Sequence, residues 1–312
     1  MLRYLLPIAI ATGAFAAFAQ EPAPPFTIVE SGRAFWRLQD AVAAIGQGDG
    51  TIAIRAGTYR DCAVQEAGRV AFIATDPGKA IFDGGACEGK ATLVLRGSAA
   101  KVDGLTFRNI RVADYNGAGI RLEQGALEVV DSQFRDSQQG ILTANDAAGT
   151  IRIERSTFSG LGTCEGDGGC AHSVYVGGYG ALSISQSRFE RGQGGHYVKS
   201  RAARIDISNS SFDDSNGRKT NYMIDLSAGA IGAIRGNQFV QGRDKENYSA
   251  FITVAPESRD NRSAGLIVAD NQAAIAPGVS RETVFLADWS HEPLKLGTNR
   301  LGTGIKPFEL RN

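Results

Sequence analysis

A phenylalanine recurs through the middle of the chain, each time at the end of a short segment in which apolar and polar residues alternate. The segment reads apolar, polar, apolar, polar, polar, Ser or Asn, any residue, Phe, as in residues 151–158. The successive separations are 27, 24, 31, 23 and 27 residues for Phe107, Phe134, Phe158, Phe189, Phe212 and Phe239. A repeat of this length indicates a solenoid in which every repeat forms one supersecondary unit.

The alternation within each repeat has the two-residue period of a half-buried β-strand. Stacked repeats of this kind place equivalent strands side by side in parallel sheets around an apolar core. We therefore expect an all-β fold, a right-handed parallel β-helix solenoid, and no proline-rich linker divides it after about residue 26. Residues 26–312 are expected to form a single domain.

The first nineteen residues have the pattern of a secretory signal peptide. Arg3 is followed by an apolar run over residues 4–18, and Ala17-Phe18-Ala19 fits a cleavage site before Gln20. The run is too short for a membrane span. We therefore expect a protein that is secreted or periplasmic, and monomeric.

An open solenoid end needs a cover, because exposed strand edges would recruit other chains. Residues 35–45 show the apolar spacing of a helix and precede a strand over residues 51–54. This predicts a short N-terminal capping helix, and Trp289 with the tail to Asn312 is expected to cover the other end. The order of short helix, Gly48-Asp49 turn, strand and Gly-Thr-Tyr resembles the start of secreted, pectate-lyase-like β-helix proteins. That resemblance implies a fold, since lyases, hydrolases, epimerases and adhesins share it.

The charges and the cysteines limit the function and the compartment. Lys plus Arg and Asp plus Glu number 33 each, so the net charge is zero. This argues against nonspecific electrostatic binding to nucleic acid or to an acidic membrane surface. Four cysteines in an exported chain favour two disulfides. Cys62 and Cys87 are about one repeat apart, and Cys164 and Cys170 flank a short loop, so we pair them in that way. Their spacing matches no zinc motif.

Aligning the strand that follows each phenylalanine predicts one chemically rich face. The second and fourth residues of that strand are mostly aliphatic and point inward, so the third points outward. Down the stack, these outward residues are Arg121, Leu142, Tyr175, Lys199, Asp225 and Thr253. Two residues further along, Arg201 is flanked by Gly177 and Ser227, which leave it open. The bends before the strands place His172, His196 and Tyr222 on successive repeats.

This face is the candidate site. We assign catalytic roles to Lys199, Arg201, Tyr175, His196 and Asp225, and substrate binding to His172, Tyr222 and Arg121. The alternative is a solvated surface on which Lys199 and Asp225 form a weak cross-strand ion pair. Titratable groups gathered on one patch favour a site.

The shape and charge of the face indicate its partner. A solenoid offers a long groove in which the units of a polymer can meet successive coils. Lys199 and Arg201 supply local positive charge, and arginine can fork onto a carboxylate. The expected partner is therefore an acidic, uronate-containing polysaccharide. The candidates for aromatic rings that stack on the sugars are Tyr175, Tyr179, Tyr197 and Tyr222.

Val198-Lys199-Ser200, followed by residues 205–212, resembles a segment of the alginate lyase and chondroitinase-B-like polysaccharide lyases. The resemblance implies β-elimination, with Lys199 as the base that removes the proton beside the uronate carboxylate. That family carries an arginine, usually with a histidine, on the next coil, where this chain has Asp225. The family's proton donor is therefore missing here. Arg201 is one candidate to replace it, and Tyr175, His196 and Tyr222 are the others.

Several alternatives stay open. A negative Asp225 beside Lys199 opposes a base role for the lysine, so Tyr175 is a second candidate for the base. A glycoside hydrolase would need a second carboxylate near Asp225. Asp213-Asp214 resembles the paired aspartates of polygalacturonase-like proteins, but the accompanying signatures are missing and a turn role is favoured.

A non-catalytic polysaccharide-binding envelope protein would use the same face without cleavage. No cofactor is expected, apart from calcium as an option at Asp167 or Asp213. Two histidines are too few for a zinc site.

Overall fold

The computed structural model describes residues 1–2, 23–166 and 168–312, so the predicted signal peptide lies almost entirely outside the described residues. Three long sheets enclose an apolar core, and the chain visits sheets A, B and C in turn. From the third strand onward all pairings between coils are parallel, whereas the first strands at the N-terminal end pair antiparallel. The predicted all-β parallel solenoid is confirmed. Within the described residues no helix is long and apolar enough to cross a membrane.

The secondary structure consists of one α-helix and three sets of strands. The helix is Leu38–Ile45. Sheet A contains Phe26–Ile28, Ala34–Phe35, Asp49–Ile54, Arg69–Ala74, Ala99–Asp103, Ala126–Val130, Asp146–Glu154, Tyr179–Ser185, Arg204–Ser208, Ile231–Arg235, Ile267–Ala269 and Lys295–Leu296. Sheet B contains Gly57–Tyr59, Ala80–Asp83, Leu105–Arg108, Gln133–Arg135, Thr157–Ser159, Arg188–Glu190, Ser211–Asp213, Gln238–Gln241, Gln272–Ile275 and Arg300–Leu301. Sheet C contains Ala63–Gln65, Ala91–Leu95, Ala118–Leu122, Gln139–Thr143, Val174–Val176, Val198–Ser200, Ile224–Leu226, Ala250–Val254, Thr283–Asp288 and Ile305–Leu310.

The recurring phenylalanines form a continuous stack inside sheet B. From Phe107 to Phe239, successive rings lie 4.7 to 5.1 Å apart between centroids and are within 13° of parallel. Phe82 extends the stack by one more ring. Each ring is fully buried. The repeat seen in the sequence is therefore the packing unit of the core, because one aromatic ring per coil fills the space between coils.

The Ser or Asn of each repeat forms a second ladder at the bend between sheets A and B. From Asp131 to Asp270, the residue before each Ser or Asn of the ladder adopts a left-handed conformation, with φ between 46° and 68°. Each backbone N–H then donates to the side-chain oxygen of the equivalent residue on the next coil, at 3.0 to 3.2 Å. The members are Ser132, Ser156, Ser187, Ser210, Asn237, Asn271 and Asn299. These side chains satisfy buried N–H groups where the strand ladder is interrupted.

We expect Ser187→Ala to destabilise the fold by about 1–3 kcal/mol, because it leaves the buried N–H of Ser156 without an acceptor. Ser187 Oγ accepts from that N–H at 3.2 Å and donates to the carbonyl of Ser185 at 2.8 Å. Urea unfolding followed by circular dichroism measures the effect. Ser183→Ala, on the outer side of sheet A, is the matched control, and equal stability of the two variants would contradict the ladder's role.

The N-terminal cap is shorter than the apolar spacing predicts. The helix begins at Leu38 rather than Phe35, because Ala34–Phe35 forms a short antiparallel strand with Phe26–Ile28. Leu38 is buried, and its N–H donates to the Asp61 carboxylate at 2.9 Å. The helix therefore covers the open end of the first coil, and a short antiparallel pairing shields the edge of sheet A.

Candidate active site

Sheet C has the strand register that the sequence predicts. Leu142 pairs with Tyr175, Tyr175 with Lys199, Lys199 with Asp225 and Asp225 with Thr253. The three residues Tyr175, Lys199 and Asp225 are therefore lateral neighbours on successive coils. In the bends before these strands, the ring of His196 lies 5.0 Å from that of His172 and 5.6 Å from that of Tyr222.

A carboxylate that the sequence analysis missed lies between the two cationic residues. Glu257 forms ion pairs with both Lys199 and Arg201, one through each carboxylate oxygen. Partial burial acts to raise the pKa of Glu257, but the hydrogen bonds and charges of Lys199 and Arg201 outweigh it, so this pKa lies below its usual value. Glu257 belongs to the loop after Ala250–Val254, outside the repeat, so no periodic signal could identify it.

The loop that carries Glu257 is anchored to the neighbouring coils. The N–H groups of Glu257 and Ser258 both donate to the carbonyl of Ser227, at 3.0 and 3.1 Å. The side-chain amide of Asn261 donates to the carbonyl of Arg201 at 3.1 Å. Arg201 is therefore partly covered, with 30% of its side chain exposed, and the prediction that it lies open is wrong. Gly177 and Ser227, the small residues on either side of Arg201, leave a space that this loop occupies.

Asp225 is buried, although the strand pattern places it on the outer face. It is 2% exposed, and its carboxylate accepts from Ser227 Oγ at 2.7 Å and from Thr253 Oγ1 at 2.8 Å. Lys199 Nζ lies 3.8 Å from Asp225 Oδ2. Burial raises the pKa of Asp225, even though Ser227, Lys199 and Thr253 stabilise its anion. The weak surface ion pair considered from the sequence is thus replaced by a covered cluster, with Lys199 itself only 13% exposed.

The rings of the two histidines lie against each other and are tilted by 35°. The backbone N–H of His196 donates to His172 Nδ1 at 3.0 Å, so this nitrogen is an acceptor and is not free for a metal. Burial lowers the pKa of His172 well below its usual value, and the charges of His196, Lys199 and Arg201 act in the same direction. Burial, with the charges of Lys199 and Lys245, lowers the pKa of His196 to about 3. At neutral pH both rings are therefore uncharged, which disfavours His196 as the proton donor.

A pocket of about 350 Å³ lies above this part of sheet C. Its floor includes Tyr175, Lys199 and the two histidines, and its rim includes residues of the Cys164–Cys170 loop. The full lining is Asn116, Gln139, Leu142, Gly168, Gly169, Cys170, His172, Tyr175, Gly195, His196, Lys199, Asn221 and Glu246. The pocket is thus polar, and the disulfide-closed loop forms one wall.

The predicted tyrosines divide into two groups. Tyr175 is partly exposed, its hydroxyl accepts a hydrogen bond from Arg201, and the guanidinium carbon lies 5.3 Å from the ring centroid. Tyr222 is partly buried, and its hydroxyl accepts from Asn247 at 2.8 Å. Tyr179 and Tyr197 are each 1% exposed, so the suggestion that they stack on sugars is wrong. Their rings fill the core instead.

Arg121 lies outside the pocket. It pairs with Leu142 in sheet C, which puts it three strands from Lys199, or about 14 Å at the usual strand spacing. Its side chain lies 3.7 Å from Glu123, a residue that also binds Lys90 and Arg96. The structure therefore does not bring Arg121 together with the other site residues.

The two consecutive aspartates have different roles. Asp213 accepts from the N–H of Ser215 at 3.0 Å, as expected for a turn residue. Asp214 is buried and forms an ion pair with the buried Lys245, Nζ to Oδ2 3.1 Å. The carbonyl of Asp214 accepts from the N–H of Gly217 at 2.9 Å, so the turn interpretation is right for both aspartates, but it does not predict the buried ion pair of Asp214. Neither aspartate lines the pocket.

Both predicted disulfides are present, Cys62 with Cys87 and Cys164 with Cys170. Among the described residues, Cys164, Cys170 and Glu246 have the spacing of metal ligands, but both sulfurs are bonded to each other. Of the two positions considered for calcium, Asp167 lies outside the described residues. The carboxylate of Asp213 accepts a hydrogen bond from the N–H of Ser215 within the turn. Calcium stays an untested option.

Comparison with known proteins supports the fold. No family model and no curated protein sequence matches the chain. Its structure is similar to that of the PL6 family alginate lyase AlyGC, with a TM-score of 0.50 and 13% identity over 87% of this chain and 38% of that one. The fold is that of pectate-lyase-like parallel β-helices. The chain spans well under half the length of that lyase, and an identity this low establishes similarity of fold alone.

A second solved structure has a weaker similarity to the chain. The Streptococcus pneumoniae surface protein and adhesin PfbA is 10% identical and gives a TM-score of 0.36, over 88% of this chain and 94% of that one. A shared fold does not imply a shared function, so the function follows from the site residues.

Proposed function

We propose that the protein cleaves an acidic, uronate-containing polysaccharide by β-elimination on sheet C, where Lys199 and Tyr175 line the pocket and Arg201 lies beside Tyr175. The observation that carries the proposal is the clamp formed by Lys199 and Arg201 around the carboxylate of Glu257. A lysine and an arginine that share one carboxylate form a carboxylate-binding site. In the free protein the ligand is the chain's own glutamate, and a uronate carboxylate has the chemistry to replace it.

In this proposal Arg201 neutralises the uronate carboxylate, which makes the carbanion at the adjacent carbon tolerable. Lys199, beside it on the same strand, removes the proton from that carbon. The electron pair forms a carbon–carbon double bond, the bond to the glycosidic oxygen breaks, and the leaving oxygen takes a proton from Tyr175. Tyr175 suits this role because its hydroxyl is partly exposed and already hydrogen-bonded to Arg201.

Asp225 does not exclude Lys199 as the base. The objection from the sequence is that a negative aspartate favours the charged lysine. Burial raises the pKa of Asp225, so burial opposes the negative charge that would favour a charged Lys199. The arrangement in which Tyr175 is the base and Lys199 only binds substrate is the alternative assignment. The kcat of Lys199→Ala distinguishes the two, because it falls steeply only if the lysine takes the proton, whereas Tyr175→Phe lowers kcat in both.

The product distinguishes the three classes of function. Purified protein is incubated with a series of acidic polysaccharides. New absorbance in the near ultraviolet, from unsaturated uronate ends, would support the lyase. Reducing ends without that absorbance would indicate a hydrolase, and retention of the polymer without cleavage a binding protein.

We expect Glu257→Gln to lower the KM for uronate oligosaccharides by up to about tenfold, equivalent to about 1.4 kcal/mol, because it removes the competing charge. The amide keeps the size of the side chain, so the loop can stay in place. Steady-state kinetics on a defined uronate oligomer measure the change. Glu282→Gln, at an exposed glutamate, is the control. An increased KM would show instead that Glu257 positions Lys199 and Arg201 for the substrate.

The compartment and domain assignments belong to the same proposal. Two disulfides are typical of exported proteins. We therefore infer a secreted or periplasmic enzyme, in which residues 26–312 act as one domain on a polymeric substrate.

A further inference from the structure

A second groove lies at the corner where sheet B turns into sheet C. Its volume is about 800 Å³. We call it the corner groove, and its lining is Arg111, Asp136, Gly160, Arg191, Gln193, Ser215, Asn216, Gly217, Arg218, Arg243 and Asp244. None of these residues has a part in the proposed chemistry.

The corner groove extends along the axis of the solenoid. Its lining residues follow six consecutive strands of sheet B, from Leu105–Arg108 to Gln238–Gln241. At the usual strand spacing this corresponds to a length of about 24 Å. A site of this length suits an extended chain better than a compact metabolite.

The charge of the groove is positive. Four arginines face two aspartates, and all four arginines are exposed. Arg191 lies 3.8 Å from Asp136, whereas Arg111, Arg218 and Arg243 have no carboxylate within ion-pair distance among the described residues. This differs from the arginines near the start of the solenoid, such as Arg96 and Arg108, which are paired with acidic residues.

Three of the arginines recur at the spacing of the coils. Arg191, Arg218 and Arg243 follow three consecutive strands of sheet B, so each coil contributes one guanidinium to the groove. Neighbouring coils are about 4.8 Å apart. A polymer with a carboxylate on each unit can therefore meet several guanidiniums at once, each with a forked hydrogen-bonding geometry.

The groove lies beside the pocket on sheet C without being part of it. Gln193 lines the groove, and Gly195 and His196, which follow on the same coil, line the pocket. Since the net charge of the protein is zero, an acidic polymer has to be held by local clusters such as this one.

We propose that the corner groove is a second, non-catalytic binding site for the acidic polysaccharide, which holds the polymer while a separate segment reacts at sheet C. The class of polymer rests on the proposed function, whereas the existence of the site rests on the geometry of the groove. Binding at two places would raise the effective concentration of polymer at the pocket.

The test is the double variant Arg191→Ala/Arg218→Ala, with Arg204→Ala/Arg235→Ala as the matched control. Arg204 and Arg235 are exposed on sheet A, so the control removes the same charge from another face. Each pair is made in the parent protein and in the Lys199→Ala background, which removes turnover. Affinity electrophoresis through gels that contain polygalacturonate or alginate gives the dissociation constant, at two salt concentrations.

We expect the groove variant to bind at least tenfold more weakly than the control in both backgrounds, with a smaller dependence on salt. Its kcat on a uronate trimer should stay within twofold of the parent value. If the groove variant binds as tightly as the control, the corner groove is not a binding site for the polymer, and the lyase proposal is unaffected. Equal loss of binding to single-stranded DNA would overturn the assignment to a polyuronate. If the parent binds no acidic polysaccharide, both proposals fail, and a lack of product with intact binding removes the lyase alone.

Discussion

Replacing Lys199 by alanine is expected to lower the rate of formation of unsaturated product by about 10³-fold or more, with the fold retained. The loss follows because general-base catalysis by a positioned side chain contributes about 10²- to 10⁴-fold. The lysine points away from the apolar core, and its Nζ contacts the carboxylates of Glu257 and Asp225. Absorbance in the near ultraviolet gives the rate.

Two controls separate chemistry from folding in this experiment. Lys101→Ala removes a lysine of sheet A that is 3.3 Å from Asp103 and far from the pocket. Lys199→Met keeps the length of the stem that covers Asp225. Thermal unfolding of each variant reports the fold. Undiminished turnover in both Lys199 variants would remove the lyase assignment.

Lys245→Met is expected to destabilise the protein by roughly 3–5 kcal/mol, because it leaves Asp214 as an unpaired charge in the interior. The side chains of Lys245 and Asp214 are 1% and 0% exposed and lie 3.1 Å apart. Asp214 also accepts from the Tyr197 hydroxyl at 2.7 Å and from Thr220 Oγ1 at 2.9 Å, so one carboxylate joins two coils. Burial lowers the pKa of Lys245, although Asp214 acts to raise it.

Chemical denaturation at pH 7 measures this loss. Lys219→Met is the matched control, since Lys219 is exposed. The double variant Asp214→Asn/Lys245→Met removes both charges and should recover part of the stability lost in Lys245→Met, because no isolated charge is left in the interior. A single variant as stable as the control would mean that Asp214 is neutral or that water reaches it.

The repeat predicts which residues of the candidate site are neighbours. The alignment of the repeats places Tyr175, Lys199 and Asp225 next to one another, and the two histidines with Tyr222 in the bends, because the register of parallel strands follows from the repeat itself. The alignment does not show how deeply an outward-pointing side chain is buried. Asp225 points outward from its strand and is nevertheless covered.

Glu257 and Asp214 illustrate the second limit. Glu257 reaches Lys199 from a loop with no counterpart on the other coils, and the partner of Asp214 is Lys245, in a later loop. Neither loop has a period from which its path could be predicted. Arg121 shows the reverse case, since it shares the column of the site residues but pairs with Glu123 instead.

The sequence by itself determined the solenoid, the register of its coils, the phenylalanine and Ser/Asn ladders and the two disulfides, because each depends on spacing along the chain. Tertiary structure alone decided which outward side chains are covered, where the charges find partners, and that a glutamate lies in the clamp of Lys199 and Arg201. These features depend on non-repeating loops, whose positions are set by contacts between residues far apart in the sequence.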